Sequence, residues 1–500
     1  MSTRQQSGLS KSLFIRGLQC HKSLYLHKNH PELKSQLSNT QQAIFRSGDK
    51  VGELARQIFP GGVLVPYEGL SIASQIQLTN SLINNGVKTI YEASFDYDGI
   101  FIKVDILRKG RGGWEVYEVK SSTGMKDVHC LDAALQCYVL ENLGMKISKV
   151  AIVHIDNSYV RQGDIDVHAL FAISSVKSRV VTLQKGIKKQ ISRMRKMLAS
   201  KEPVIDIGPH CSTPYDCDFI DHCWKHTPED SVFSLAGRGI DKFDYYRRGI
   251  IKLADIPLED LNKRQALQAK ATLKKENYFD KGAVQEFLDE LWYPLCHLDF
   301  ETFTSPIPLF DGIRPYQQVP FQYSLHIQDR EGDEPKHFEF LAQPGEDPCK
   351  KLLNQLLKEI PVGACILAYN MGFEKKVLQD LARFVPRRAK RINQIREDMR
   401  DLMQPFRSQA VYHWQMKGSY SIKAVLPALV PELSYKGMEI ADGGMAMDAY
   451  HRMCAMTDSG EIEKLRKALL SYCELDTLAM VKILDTLVFN RKDSNKCQNV

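Results

Sequence analysis

From Leu291 the chain offers three strand-like stretches in succession, "YPLCHLDF", "PFQYSLHIQ" and "HFEFLA", then a fourth, "ACILAY", that runs straight into the helical stretch "FEKKVLQDLARF". A meander followed by alternating strand and helix confines this part of the chain to an α/β sheet covered by helices. The end of the first stretch is the anomaly. "HLDFETF" puts Asp299 and Glu301 two residues apart, on the same side of a buried strand. Two like charges there cost stability unless a proton or a cation holds them together. The pair predicts a metal.

Other carboxylates must then arrive from elsewhere, because two cations about 4 Å apart need several oxygen ligands. "NMGFEKKV" sets Glu374 at a strand-to-helix junction, where the helix dipole favours an anion. "SYCELDTLAM", inside a long helical stretch, sets Tyr472 and Asp476 four apart on one face. The order D-x-E, N-x-x-(F/Y)-(D/E), Y-x-x-x-D resembles the DEDDy class of 3'-to-5' exonucleases, which includes the proofreading domains of DNA polymerases. The resemblance implies an RNase H-like fold in which Asp299, Glu301, Glu374 and Asp476 bind two divalent ions, Mg2+ or Mn2+, and Tyr472 orients the attacking water. Asn370 takes the Asn position of the second motif, at the substrate. That motif ends here in Glu374, one methylene longer than the Asp usual in the class.

The first segment, to about residue 226, also mixes helix and strand. "GIFIKVDILRK" and "GWEVYEVKSS" read as strands around the turn "GRGG", "AIFRSGDKVGELARQIF" and "DAALQCYVLENLG" as helices, and "ISKVAIVHID" as a further strand. Asp105 falls on one strand, with Glu118 and Lys120 on one side of the next. A metal held by two carboxylates beside an ammonium makes a workable hydrolytic site. This resembles the PD-(D/E)XK nucleases of the RecB-like group and implies a restriction-endonuclease-like domain, with Asp105 and Glu118 as metal ligands and Lys120 as the third signature residue. Gln136 and Tyr138 then correspond to a Gln and a Tyr that help position DNA, at a shorter spacing than usual. Where many members carry an early His, "GDKVGEL" offers Gly52 and Glu53, and Glu92 is another candidate ligand.

Twelve cysteines in 500 residues do not make a disulfide scaffold, and clustered cysteines point to metal. "GPHCSTPYDCDFIDHC" spaces Cys211, Cys217 and Cys223 in equal steps, and "LSKSLFIRGLQC" supplies Cys20. Four thiolates complete an iron-sulfur site. One early and three late cysteines resemble the iron-sulfur RecB-like nucleases, including the CRISPR adaptation nuclease and the AddB-type helicase-nucleases, which implies a 4Fe-4S cluster stapling the ends of the domain. Zinc competes, since His210, His222 and His226 lie nearby.

The expected organisation is a RecB-like domain over 1–226, a helical connector over 227–290, a DEDDy domain over 291–490 and a polar tail over 491–500. The whole resembles an uncharacterised bacterial group joining these two domains, down to phrases such as "RPYQQVPFQYSLH" and "GSYSIKAVLPAL". The net charge of +7 gathers in basic runs at 185–201 and 383–396, which suit a phosphate backbone or a solvated helix face. Apolar runs such as "AVLPALV" are too short to span a bilayer and residues 1–19 lack a signal-peptide core, so the expectation is a cytoplasmic protein with no membrane partner. The function these readings imply is nuclease hydrolysis of nucleic acid, with single-stranded DNA as the partner, in repair, recombination or defence. The alternatives are an RNA-processing exonuclease and an inactive nucleic-acid-binding module.

Overall fold

The structure, a computed structural model, describes residues 8–36 and 39–492. The tail expected over 491–500 lies almost wholly outside them. The chain is mixed α/β and separates into two compact units, one of residues 1–226 with 305–317, the other of 227–304 with 318–500. No helix among the described residues is long and apolar enough to cross a membrane.

The first unit is built on a seven-stranded sheet: β1 (Leu9–Ser10), β2 (Val63–Leu64), β3 (Thr89–Tyr97), β4 (Ile100–Lys109), β5 (Trp114–Lys120), β6 (Ile147–Ile155) and β7 (Phe171–Ser175). Strands β2 to β7 lie in sequence order, and β1 pairs with β4. The β3–β4–β5 meander is antiparallel and β6 lies parallel to β5. The helix Asp127–Asn142 buries Ala133, Ala134, Leu135 and Val139 in one core with Ile102, Val104 and Val116 of the sheet. It gives out before Gly144, whose φ of +80° only glycine adopts freely.

Residues 305–317 fold with this unit although their neighbours on both sides in the chain belong to the other. Ile307 packs against the core around Val51, Tyr117 and Val153. The Arg161 guanidinium donates to the carbonyls of Pro308 and Leu309 at 3.0 and 2.7 Å, and the Tyr316 hydroxyl donates to the carbonyl of Ser121. This excursion leaves no trace in local sequence pattern.

The second unit opens with the expected short helices, and they belong to it. They bury a small core of their own around Val232, Leu235, Tyr245 and Leu253, and Asn262 closes a capping box on the helix Lys263–Lys274. β8 (Tyr278–Phe279) then pairs with β14 (Val411–Tyr412). The main sheet holds β9 (Leu295–Phe303), β10 (Val319–Gln328), β11 (Lys336–Leu341), β12 (Cys365–Ala368) and β13 (Met399–Asp401), in the order β11-β10-β9-β12-β13. The first three are antiparallel; β12 and β13 run parallel to β9. On one face of β10, Gln322, Ser324, His326 and Gln328 are all buried, and they pair in register with Glu301, Asp299, His297 and Leu295 of β9. The 34-residue helix Ser459–Lys492 covers that face: Gln322 donates to the Leu469 carbonyl at 2.8 Å, and the Ser324 and Thr477 hydroxyls meet at 2.6 Å. A buried polar seam of this kind must be hydrogen-bonded throughout or put to use.

Candidate functional site

In the second unit Asp299, Glu301, Tyr472 and Asp476 open on one cavity of about 460 Å³, walled also by Tyr369, Phe373 and Lys423. Oxygens of Asp299, Glu301 and Asp476 lie within 4.8 Å of one another. The crowding shows in their proton affinities. Burial, then the charges of Asp476 and Glu301, lifts Asp299 well above the carboxylate range. Burial and Asp476 push Glu301 up to about 8, against the opposing pull of Lys423. Asp476 rises to about 6, burial outweighing the hydrogen bonds it accepts from Tyr435 and Tyr472. Three oxygen donors that ionise only at a cost form a set that a hard divalent cation fits.

Glu374 sits in the first turn of the helix Gly372–Phe384, 2% exposed, and its Oε2 has no hydrogen-bond partner. Burial lifts it to about 8, and its charge reaches Asp299, though its oxygens stand outside the three-acid group. Asn370 makes the turn before that helix in the left-handed region, φ +70°, its N–H held by Asp401 at 2.9 Å. Its side chain is exposed.

Two residues of this site carry no motif. Tyr435 donates to Asp476 at 2.6 Å. The Lys423 ammonium lies over the rings of Tyr435 and Tyr472, 5.5 and 5.4 Å from their centroids, and donates to the Ala441 carbonyl at 2.6 Å. Both are single residues in ordinary helical or loop text, so only the fold could reveal them.

In the first unit Glu118, 1% exposed, is the hub. One oxygen accepts from the ammoniums of Lys11 and Lys120, each at 2.6 Å, and the other from Gln136 at 2.5 Å. Despite burial, the two cations hold Glu118 below the usual carboxylate range. Burial and that charge push Asp105 up to about 7, while its Oδ2 accepts the Val119 N–H at 2.6 Å. Lys120 also pairs with Asp132 at 2.9 Å. Asp105, Glu118, Lys120 and Gln136 therefore come together. Tyr138 does not join them. Positions two apart on a helix face different ways, and its ring packs edge-on against Tyr97 at 6.3 Å.

Glu92 reaches the site's charge field and raises Asp105; it departs from the β3 ladder at φ +55°, a conformation costly for a side chain of this kind. Glu53 is exposed on the helix Asn39–Ala55. Lys11, which starts the helix Lys11–Gln19, was hidden in the sequence for want of any spacing signal. Among the described residues these acids do not reach the three-donor spacing of the second unit.

Cys20, Cys211, Cys217 and Cys223 line one chamber, with His210 beside them; His222 and His226 are not in its wall. The ends of the segment are also tied by Gln19, which donates to the carbonyls of His210 and Tyr215, and by Arg16 on Asp218 at 2.7 Å. Among the described residues no three of the sulfurs lie within 4.8 Å of one another. One zinc ion would hold them about 3.8 Å apart, given Zn–S bonds of about 2.3 Å in a tetrahedron. Thiols would therefore draw inward to hold zinc. The four-thiol set itself fits both.

A family model described as a domain of unknown function, DUF2779, matches residues 296–421, which span the β9 acids and Glu374. The chain is also similar to the uncharacterized protein MG366 homolog of Mycoplasma pneumoniae, 27% identical over 223 residues, 40% of this chain and 34% of that protein. The uncharacterized protein MG366 of Mycoplasma genitalium is 24% identical over 206 residues, 38% of this chain and 31% of its own length. The matched stretch thus spans about a third of each curated relative.

Proposed function

We propose that the second unit is a metal-dependent exonuclease acting on nucleic acid from the 3' end, with single-stranded DNA as the substrate, and that its sheet is of the RNase H-like type. One observation carries this reading: three carboxylates within 4.8 Å of one another at an open cavity, Glu301 and Asp476 buried and Asp299 half-buried, with Tyr472 and Tyr435 bonded to the third. Divalent cations held by Asp299, Glu301 and Asp476 would supply Lewis-acid charge and a water of lowered pKa. The residues do the rest. The two tyrosines fix the Asp476 carboxylate, Lys423 holds both tyrosine rings in place, and Phe373, Ile422 and Met447 give a terminal base an apolar wall. The test is loss of nucleotides from single strands labelled at either end, with Mg2+ or Mn2+, beside matched RNA. Strands bound but left whole under either ion would favour the binding-module reading instead.

The first unit is proposed as a second nuclease, of the RecB-like PD-(D/E)XK type. Asp105 and Glu118 would hold the cation, with Lys120 aimed at the scissile phosphate and Gln136 fixing Glu118. Lys120→Ala is expected to lower the products of this site about 100-fold or more, as loss of one charge-stabilising donor does, while sparing stepwise loss from the 3' end. An unchanged product series in that variant argues against the site.

For the cysteines the reading is a 4Fe-4S cluster. Wild type purified without oxygen is expected to be brown with four irons per chain, and Cys20→Ser to lose the colour. A colourless wild type with one zinc per chain overturns the cluster and retains the metal.

A further inference from the structure

Beyond the acid cluster, three histidines stand side by side across the second sheet. His326 of β10 is paired in register with His297 of β9 on one side and His337 of β11 on the other. His297 is fully buried on Gln328. The other two look toward the covering helix. His326 Nδ1 is hydrogen-bonded with the Thr477 hydroxyl at 2.8 Å and His337 Nε2 with the Ser324 hydroxyl at 2.9 Å, so each ring is oriented through one nitrogen and keeps the other. Glu474, on the turn of helix before Thr477, brings its carboxylate to 3.8 Å from His337 Nδ1. Donor atoms of His326, His337 and Glu474 all lie within 4.8 Å of one another. Burial drives the His326 pKa down to about 3, which keeps its imidazole neutral with a lone pair to give.

Two imidazoles, each oriented from behind by a hydroxyl, beside one carboxylate, are the donor set of a three-ligand zinc site. We propose that His326, His337 and Glu474 bind one divalent cation of the zinc class, at a site separate from the acid cluster. The rings now stack, centroids 4.5 Å apart and 24° between planes, so capture requires a turn of His337, the less buried ring. Water completes the coordination. Mg2+, which prefers oxygen ligands, is not a competitor here. Glu474 lies between Tyr472 and Asp476 in the chain, so the ion clips to the β10–β11 hairpin the helical turn that carries both.

The test is calorimetric titration of the full chain with zinc in excess Mg2+, which occupies the hard acid site. Wild type is expected to take up one equivalent that Asp299→Asn and Cys211→Ser both retain. His337→Ala should lose it, and Glu474→Gln, a change on an exposed helix surface that leaves folding intact, should weaken it at least tenfold. Zinc uptake equal in wild type, His337→Ala and Glu474→Gln overturns the site, as does an equivalent that disappears only with Asp299→Asn or Cys211→Ser.

Discussion

Asp299→Asn is expected to abolish cation-dependent loss of nucleotides from the 3' end, by roughly 10³-fold or more, and at the same time to stabilise the cation-free protein. The first effect follows from charge. Asparagine keeps the shape but removes a negative oxygen from a three-acid group, and a bound cation contributes several kcal/mol to such a reaction. The second follows from the same crowding. Asp299 faces Asp476 and Glu301 across less than 4.8 Å, and each pH unit over which the fold must hold a proton on it costs about 1.4 kcal/mol. A neutral amide ends that cost. Thermal unfolding in EDTA at pH 8 beside the strand assay reads both. A variant that is inactive and also less stable would mean that Asp299 serves packing and not a cation.

The second large effect is a pH dependence that a cation reverses. Asp299 is raised well above its ordinary value, Glu301 and Glu374 to about 8, and Asp476 to about 6. Between about pH 4, where these groups titrate in an unfolded chain, and pH 8, the folded protein therefore binds more protons than the unfolded one. Their stabilising contribution is whole below pH 4 and is lost as the pH rises through 6 to 8, at about 1.4 kcal/mol per pH unit for each proton held. Cations take the place of the protons, so Mn2+ should raise the melting temperature much more at pH 8.5 than at pH 6. An equal Mn2+ shift at both values would place the ion elsewhere. Glu118, held below its usual range by Lys11 and Lys120, works in the opposite sense: its contribution is present above about pH 4.5 and fades in acid.

What the sequence made legible were residues whose chemistry is repeated at a spacing. Asp299 and Glu301 on alternate strand positions, Tyr472 and Asp476 one helical turn apart, and the evenly stepped cysteines all declare themselves in this way. The strands "GIFIKVDILRK" and "GWEVYEVKSS" were equally plain because β-branched residues alternate or run together between turns. Lys11, Lys423 and Tyr435 were not legible, because each acts alone and its partner is brought by tertiary folding: Lys11 reaches Glu118 from 107 positions away. The short strands β2, β13 and β14 are also silent, being too brief to show a period. Register is silent too. His297, His326 and His337 are scattered in the chain and become neighbours only through strand pairing.

The excursion of residues 305–317 sets an order on how the protein can be made. As the chain leaves the ribosome, the first 226 residues emerge without Ile307, Arg161's carbonyl partners or Tyr316, so the core around Val51 and Tyr117 stays open on one side. It closes only after residues 227–304, with the β9 acids at their end, have followed. The first unit is therefore completed only late in synthesis, and a fragment stopped at His226 would lack the Ile307 contact and the Arg161 and Tyr316 hydrogen bonds that the full chain makes.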